Sequence, residues 1–283
     1  MTVTVEMIQT LRKKTGVGMG KCKEALVETS GNVEDAVDWL RKKGIASAVK
    51  KEGRDANEGI IGVVETDEII AFAEVNSETD FVANNANFQK FVKDIAEEVA
   101  ATNPESLEAF LQQKFSKDSN LSVDEFRATF VQSIGENIQV KRVKTFLKGS
   151  NKSLGFYSHM NGKIVTLVEI EGTDSEESLC KEIAMQVAAS NPDYLNPESI
   201  PEDIINREKE ISKEQVKGKP ENIMDKILAG KLNAYYDQSC LVRQKFIKDD
   251  SLTIDQLVQK RSKELGKPLQ VTSFCRWALG QKG

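Results

Sequence analysis

The chain has 283 residues, of which 39% are hydrophobic and 29% charged, a composition typical of a soluble globular protein with about two domains. Its net charge of −5 provides no overall positive field that would attract nucleic acid. No run approaches the roughly 18 uninterrupted apolar residues of a membrane span, and residues 1–6 lack the pattern of a secretory signal. We therefore expect a cytoplasmic protein that binds neither nucleic acid nor membranes directly.

Cysteine and histidine usage argues against a catalytic centre. The single histidine, His159, is too few for most zinc sites, and no nucleophile elbow accompanies it. Carboxylates are scattered along helical faces, so no acid–base pair can be singled out. We expect no cofactor, no metal and no enzymatic activity. The wide spacing of the four cysteines predicts reduced, mostly buried thiols rather than disulfides. They are Cys22, Cys180, Cys240 and Cys275.

Residues 1–48 predict a bundle of three short helices. Helices are expected from Val5 to Lys14, from Lys21 to Thr29, and from an N-cap at Asn32 onward, with glycines between the first two. A core of this size is marginally stable and is typical of a docking module. The charged stretch 49–57 is expected to be a linker, partly helical at most.

Beyond the linker the hydrophobic period changes from 3.6 to 2, which predicts strands. Residues 58–148 are expected to form an N-terminal core subdomain with an antiparallel hairpin at its start. The elements predicted in order are strands Ile60–Glu65 and Ile69–Val75, helices Asn84–Thr102, Glu105–Phe115 and Val123–Ile134, and strand Val140–Leu147.

Residues 149–283 are expected to form a C-terminal core subdomain. A helical hairpin is inserted at about 200–248, with an antiparallel turn predicted at 217–220. The elements predicted in order are strands Leu154–His159 and Lys163–Ile170, a helix carrying Leu179 and Val187, helices Pro201–Val216, Glu221–Ile247 and Ile254–Leu265, and strand Leu269–Trp277.

The two subdomains repeat one pattern. Each strand pair leads into Thr-Asp (Thr79-Asp80 and Thr173-Asp174), and each following helix ends in Val-Ala-Ala and then Asn-Pro. This indicates an internal duplication of a strand–strand–helix unit within an α+β fold of antiparallel sheets. The first copy is seven residues longer, around Asp80 to Asn87, so these residues are available for another role.

Two segments invite a functional interpretation. The glycines from Gly16 to Gly20 do not form a phosphate-binding loop, because Cys22 stands where Ser or Thr is needed and a helix precedes them. They predict a helix–helix turn, and Met19 at its tip serves either core packing or a contact surface. His159, near the turn at Asn161-Gly162, is an exposed turn histidine or a polar contact to a protein partner.

The segment from Thr79 to Asn85 allows two structural interpretations. Asp80 could cap a helix whose first turn buries Phe81. Alternatively, Asn84-Asn85 begins a later helix, and Asp80 and Phe81 stand at a loop tip. The second copy lacks the aromatic residue, which favours the loop tip, where an exposed phenylalanine beside a carboxylate is an interaction anchor.

These motifs resemble those of bacterial translation elongation factor Ts along nearly the whole chain. The similarity covers the N-terminal helices, the segment around Phe81 and later helices in the same order. The runs that carry it are Leu11–Met19, Cys22–Leu26, Trp39–Gly44, Asn76–Ala83, Ile134–Ile138 and Ile183–Ala189.

The resemblance implies a guanine-nucleotide exchange factor with a ubiquitin-associated-like bundle that docks on elongation factor Tu. Thr79, Asp80, Phe81 and Val82 would then disturb the Mg²⁺ and phosphate site of that GTPase in its GDP form. Further partner contacts are implied by the positions of Met19, Ile134 and His159. The helical hairpin would serve self-association, giving a homodimer, or secondary contacts to the partner.

Two departures from the family pattern stand out. Ser77 replaces a frequent cysteine, with no expected effect, and the chain stops near Leu279, without the C-terminal module of some members. The competing hypothesis is a ubiquitin-associated-like adaptor without exchange activity, which would tolerate loss of Asp80 and Phe81. A small-molecule enzyme is disfavoured by the single histidine.

Overall fold

A computed structural model describes residues 3–215 and 221–281. Helices come first, followed by helices combined with antiparallel strand pairs, so the predicted α+β class is confirmed. The described residues divide into two compact units, 3–147 with 161–163 and 278–281, and the rest of 148–277. The turn predicted at 217–220 lies outside the described residues, as does Val216.

The first unit begins with three helices, as predicted. Asn32 caps the third helix by accepting hydrogen bonds from the backbone N–H groups of Glu34 and Asp35. Gly16 ends the first helix at φ +69°, a conformation that glycine adopts without strain. The helices are α1 (Val5–Thr15), α2 (Met19–Glu28) and α3 (Val33–Lys51).

Each of the two later helices extends beyond the prediction at one end. α2 begins at Met19 rather than Lys21, so Met19 opens a helix and does not sit at a turn tip. α3 continues into the expected linker as far as Lys51, and its Ala48 is buried in the core of the following subdomain. The bundle has its own small core of Ile8, Leu11, Val17, Cys22, Ala25, Leu26, Ala36 and Leu40.

The rest of the first unit surrounds a three-stranded sheet, and its longest helix covers one face with phenylalanine, valine and isoleucine side chains. The elements in order are β1 (Glu58–Glu65), β2 (Ile69–Ser77), α4 (Asp80–Ala83), α5 (Ala86–Thr102), α6 (Leu107–Gln112), β3 (Lys114–Phe115), β4 (Asp118–Ser122), α7 (Val123–Ile134) and β5 (Gln139–Leu147). The sheet order is β1-β2-β5, with antiparallel pairing throughout.

The predicted C-terminal end of one helix in this unit is wrong. The helix expected over Glu105–Phe115 stops at Gln112, and Phe115 lies in a short strand pair. There its ring stacks on Phe126 with centroids 4.3 Å apart. Packing of that aromatic pair in the core therefore overrides the local helical pattern.

The second unit repeats this architecture, with a helical hairpin inserted after its main helix. The elements in order are β6 (Lys152–His159), β7 (Ile164–Glu171), α8 (Glu177–Ser190), α9 (Glu202–Gln215), α10 (Glu221–Ser239), β8 (Lys245–Phe246), β9 (Asp249–Thr253), α11 (Ile254–Leu265) and β10 (Gln270–Ala278). The sheet order is β10-β7-β6, which corresponds to β5-β2-β1 of the first copy.

The helix predicted to reach Ile247 ends at Ser239 instead. Leu241 is fully buried and its backbone N–H donates to the Tyr194 carbonyl at 2.9 Å, which draws the chain out of the helix. The two helices predicted to form the hairpin, α9 and α10, are present and in contact, although Ile211, expected on their inner face, is 43% exposed.

The duplication extends further than the sequence pattern suggested. Phe115 pairs with Asp118 in the first copy, and Phe246 pairs with Asp249 in the second, with the same register shift beside them. Each short hairpin leads into a helix opened by a reciprocal capping box, Ser122 with Glu125 and Thr253 with Gln256. Each copy of the repeated unit therefore comprises a three-stranded sheet, the main helix, the small hairpin and the last helix.

In each copy a glycine lets the main helix pack closely on the first strand. A Cβ atom on Gly155 would lie 2.5 Å from the Lys181 backbone nitrogen and 2.6 Å from the Cys180 Cβ atom. On Gly62, the corresponding position, it would lie 2.6 Å from the Val92 Cγ1 atom. The helix–sheet contact thus depends on the missing side chain.

We predict that Gly155→Ala lowers the free energy of unfolding by about 2 kcal/mol, because α8 must move off the strand. Gly149→Ala is the control, since nothing lies within 4 Å of its Cβ position, and should change it by less than about 0.5 kcal/mol. Urea denaturation followed by circular dichroism measures both, and equal effects of the two variants would contradict the close packing.

Candidate functional site

Phe81 lies on a one-turn helix rather than at a free loop tip, which corrects the backbone predicted for this segment. α4 contains four residues, and Thr79, not Asp80, caps it by accepting a hydrogen bond from the Val82 N–H at 3.3 Å. A separate helix then begins at the N-cap Asn85, as the second reading of the sequence anticipated. These residues fill the extra length of the first copy.

The short helix divides its side chains between core and solvent. Ala83 is buried and Val82 packs against the core of the first unit, whereas the Phe81 side chain is 85% exposed. Asp80 is exposed beside it, and in the described part of the chain its carboxylate has no hydrogen bond or ion pair. The helix thus presents an apolar ring and a free negative charge side by side.

Two glutamates connect residues 78–79 with residues 136–137, each accepting hydrogen bonds from the other segment. The Glu136 carboxylate accepts hydrogen bonds from the Glu78 N–H and the Thr79 N–H, both at 3.1 Å, and from the Thr79 hydroxyl at 2.6 Å. In return, the Glu78 carboxylate accepts from the Asn137 N–H at 2.6 Å. We call this set of contacts between residues 78–79 and 136–137 the reciprocal clamp.

The clamp is tied to the end of α3 and the residues after it. Asn137 donates its side-chain amide to the Arg54 carbonyl at 2.8 Å, and Arg54 forms an ion pair with Glu78 at 3.3 Å. Burial lowers the pKa of Lys51, and the neighbouring cations Lys21 and Arg54 lower it further. Glu78 and Glu136 act on the pKa of Lys51 in the opposite direction, without outweighing the burial.

Ile134 and Met19 lie near the same end of α7. Ile134 is the half-buried last residue of that helix, two positions before Glu136. Lys21 donates to the Gln132 carbonyl at 3.2 Å, and Ser133 donates to the Gly16 carbonyl at 2.9 Å. The segment containing the 45% exposed Met19 is therefore held against the last turn of α7.

His159 belongs to the second unit, at the exposed end of β6. Its Nδ1 atom lies 3.2 Å from the Tyr157 hydroxyl oxygen, and the two rings are 5.8 Å apart at a tilted angle. The side chain is thus accessible and oriented by one aromatic neighbour.

Of the clamp residues, only Thr79 was predicted from the sequence to have a role. Glu78, Glu136 and Asn137 were noted only within runs that resemble the family. A usable signal existed, since each acid comes just after a strand or a helix C-cap, where backbone N–H groups are free to be bound.

Within the described residues, no group of three or more His, Cys, Asp or Glu side chains is arranged to hold a metal ion. None of the helices there is both long and apolar enough to cross a membrane. Burial raises the pKa of the Cys180 thiol to about 12 and that of Cys240 to about 11, so these buried thiols are poor nucleophiles at neutral pH.

Comparison with known proteins identifies the class to which this α+β architecture belongs. The model of the family described as Elongation factor TS matches residues 78–281. Elongation factor Ts of Protochlamydia amoebophila (strain UWE25) is 61% identical over 279 residues, covering 99% of each chain. The proteins of the same name from Chlamydia muridarum and Chlamydia pneumoniae are 44% and 45% identical over 277 residues, covering 98% of each chain. The chain belongs to the elongation factor Ts family.

We predict that Phe81→Ala leaves the free energy of unfolding within about 0.5 kcal/mol of the parent, because an exposed ring loses little burial. Phe88→Ala, which removes a fully buried ring from the same unit, should cost about 3–5 kcal/mol. Thermal and urea unfolding of the two variants measure the difference. A large cost of Phe81→Ala would mean that the ring is a core residue.

Proposed function

We propose that this protein is a guanine-nucleotide exchange factor for elongation factor Tu. It binds the GDP form of that GTPase in the cytoplasm and promotes GDP release during translation elongation. The observation that carries the proposal is Phe81, an 85% exposed ring on a helix that the second copy of the duplicated unit lacks. Family membership indicates the partner, and the exposed ring is the group proposed to disturb the partner's nucleotide site.

The mechanism follows from how a GTPase holds GDP. Much of the affinity comes from the phosphates and a bridging Mg²⁺ ion. Phe81 wedges beside that site, and the Asp80 carboxylate, which is exposed and unpaired among the described residues, repels the phosphates and disfavours the ion-bound arrangement. Because the factor binds the deformed state more tightly, it shifts the partner toward that state.

Linkage requires the effect to be reciprocal. If the factor weakens GDP binding by some ratio, then GDP, and later GTP, weakens binding of the factor by the same ratio. The factor is therefore released when nucleotide rebinds, and the cycle repeats without any covalent step. No active site in the enzymatic sense is needed.

Two exposed residues and one half-buried residue extend the proposed contact. Met19 in the bundle and Ile134 at the end of α7 contribute on the first unit, and His159 contributes a polar contact from the second. Val82 and Thr79 fix α4 (Asp80–Ala83), which we call the wedge helix. The α9–α10 hairpin serves self-association or secondary contacts, as its half-buried apolar side chains allow.

We predict that Phe81→Ala lowers the rate of GDP release at saturating factor by about 100-fold, since the ring supplies the differential binding. The acceleration is then largely abolished. Stopped-flow release of a fluorescent GDP analogue from elongation factor Tu measures it. Leu147→Ala is the matched control, because Leu147 is an exposed apolar residue of the same unit that lies outside the site.

Two results would count against the proposal. Acceleration that survives in Phe81→Ala would retain the exchange function and remove this mechanism. Binding of the intact chain to elongation factor Tu without any acceleration would replace the exchange factor with a docking adaptor.

A further inference from the structure

The duplication gives an internal comparison for the wedge helix. In the first copy, α7 has Gly135 as its C-cap, and Glu136 and Asn137 follow. In the second copy, α11 has Gly266 as its C-cap, and Lys267 and Pro268 follow. The copy that carries the extra helix therefore has a carboxylate at the position where the other copy has a cation.

In the second copy the corresponding segments pack directly against each other. A Cβ atom on Gly172, just after β7, would lie only 1.9 Å from the Pro268 carbonyl oxygen, so the two backbones touch directly. In the first copy, Ser77 stands in place of this glycine, and the carboxylates of Glu78 and Glu136 connect the two segments by hydrogen bonds. The clamp thus accompanies the inserted helix.

A helix of four residues cannot hold its own shape in water. Nucleation of a first turn is unfavourable, and isolated helices shorter than about 12 residues are marginal. α4 therefore depends on outside contacts, and its cap residue, Thr79, is where they converge: its N–H and hydroxyl donate to Glu136 while its hydroxyl oxygen accepts from Val82. Hydrogen bonds to a carboxylate are stronger than those between neutral groups.

The carboxylate is itself mounted on a fixed support. α7 is held against α3 by the Arg41–Glu125 ion pair at 2.6 Å. A Cβ atom on Gly44 would lie 3.3 Å from the Ala128 carbonyl oxygen, so the two helices are in close contact there. Glu136 follows the end of this packed helix by two residues, which fixes its position relative to the bundle.

We propose that Glu136 is a positioning residue for nucleotide exchange, acting through Thr79 to hold α4 so that Phe81 and Asp80 are presented in one orientation. This role rests on the proposed exchange function. A ring that is already oriented loses little conformational freedom on binding, so more of its interaction is available to deform the partner. Glu78 completes the clamp by fixing Asn137.

The clamp is tested first in the free protein by amide hydrogen exchange. In Glu136→Ala, the Glu78, Thr79 and Val82 amides should lose about tenfold or more of their protection, while those of β2 and α5 keep theirs. Glu136→Gln, which retains one acceptor oxygen, should give an intermediate value. Unchanged protection of the three amides in Glu136→Ala would overturn the proposal.

Glu98→Ala is the matched control. Glu98 is a buried carboxylate of the same unit that accepts from the Ser116 N–H at 3.0 Å, so it also fixes a loop through its backbone. Loss of the Glu98 carboxylate should expose the Ser116 amide and lower the free energy of unfolding at least as much as Glu136→Ala does. The amide protection of residues 78–82 should not change.

The use of the clamp is tested by GDP release from elongation factor Tu. Glu136→Ala should lower the maximal rate about tenfold and change the half-saturating concentration by less than about twofold, whereas Glu98→Ala should retain the parent rate. Adding Glu136→Ala to Phe81→Ala should cause little further loss, because both changes remove the same oriented ring.

The outcomes separate the two proposals. A parent-like rate in Glu136→Ala, together with a slow Phe81→Ala, would overturn the positioning role and leave the exchange function intact. Additive losses in the double variant would also overturn it. If the parent chain itself fails to accelerate release, the exchange function falls and the positioning role falls with it, whatever the amides show.

Discussion

Exposing a phenylalanine ring to water on a helix of four residues requires outside support, and here that support is the hydrogen bonding between two acidic side chains and free backbone N–H groups. Thr79 and Glu78 leave a strand, and Asn137 follows a helix end, so their N–H groups have no partner within regular structure. Glu136 and Glu78 supply those partners reciprocally. The direction in which Phe81 points depends on this exchange of contacts.

The duplicated fold explains how such a feature can be added without cost to the core. Each copy closes a three-stranded sheet with one long helix and one capped shorter helix, and the second copy does so with a direct backbone contact at Gly172. The first copy inserts seven residues at the same junction, where both chain ends are already fixed by strands and helices. An insertion at a rigid junction places new side chains more reproducibly than one in a long loop.

Much of this fold follows from periodicity and capping signals. The bounds of α7 and α11 were predicted correctly because each starts at a strong cap and stops at a glycine. The failures occurred where tertiary packing decides, as at Phe115, which joins an aromatic stack, and at Leu241, which is drawn into the core. The exposed position of Phe81 could be inferred from the extra length of the first copy. The pairing within the clamp could not, because the sequence does not show that Glu136 meets Thr79, which lies 57 residues away.

The wedge mechanism requires Phe81 to lie at the nucleotide site in the complex, and site-specific photo-crosslinking measures its position directly. A photoreactive phenylalanine analogue incorporated at position 81, irradiated with nucleotide-free elongation factor Tu and mapped by mass spectrometry, should crosslink to the segments that bind the GDP phosphates and Mg²⁺. The same analogue at position 147 should give no such product. Crosslinks from position 81 confined to surfaces away from the nucleotide site would contradict the wedge mechanism.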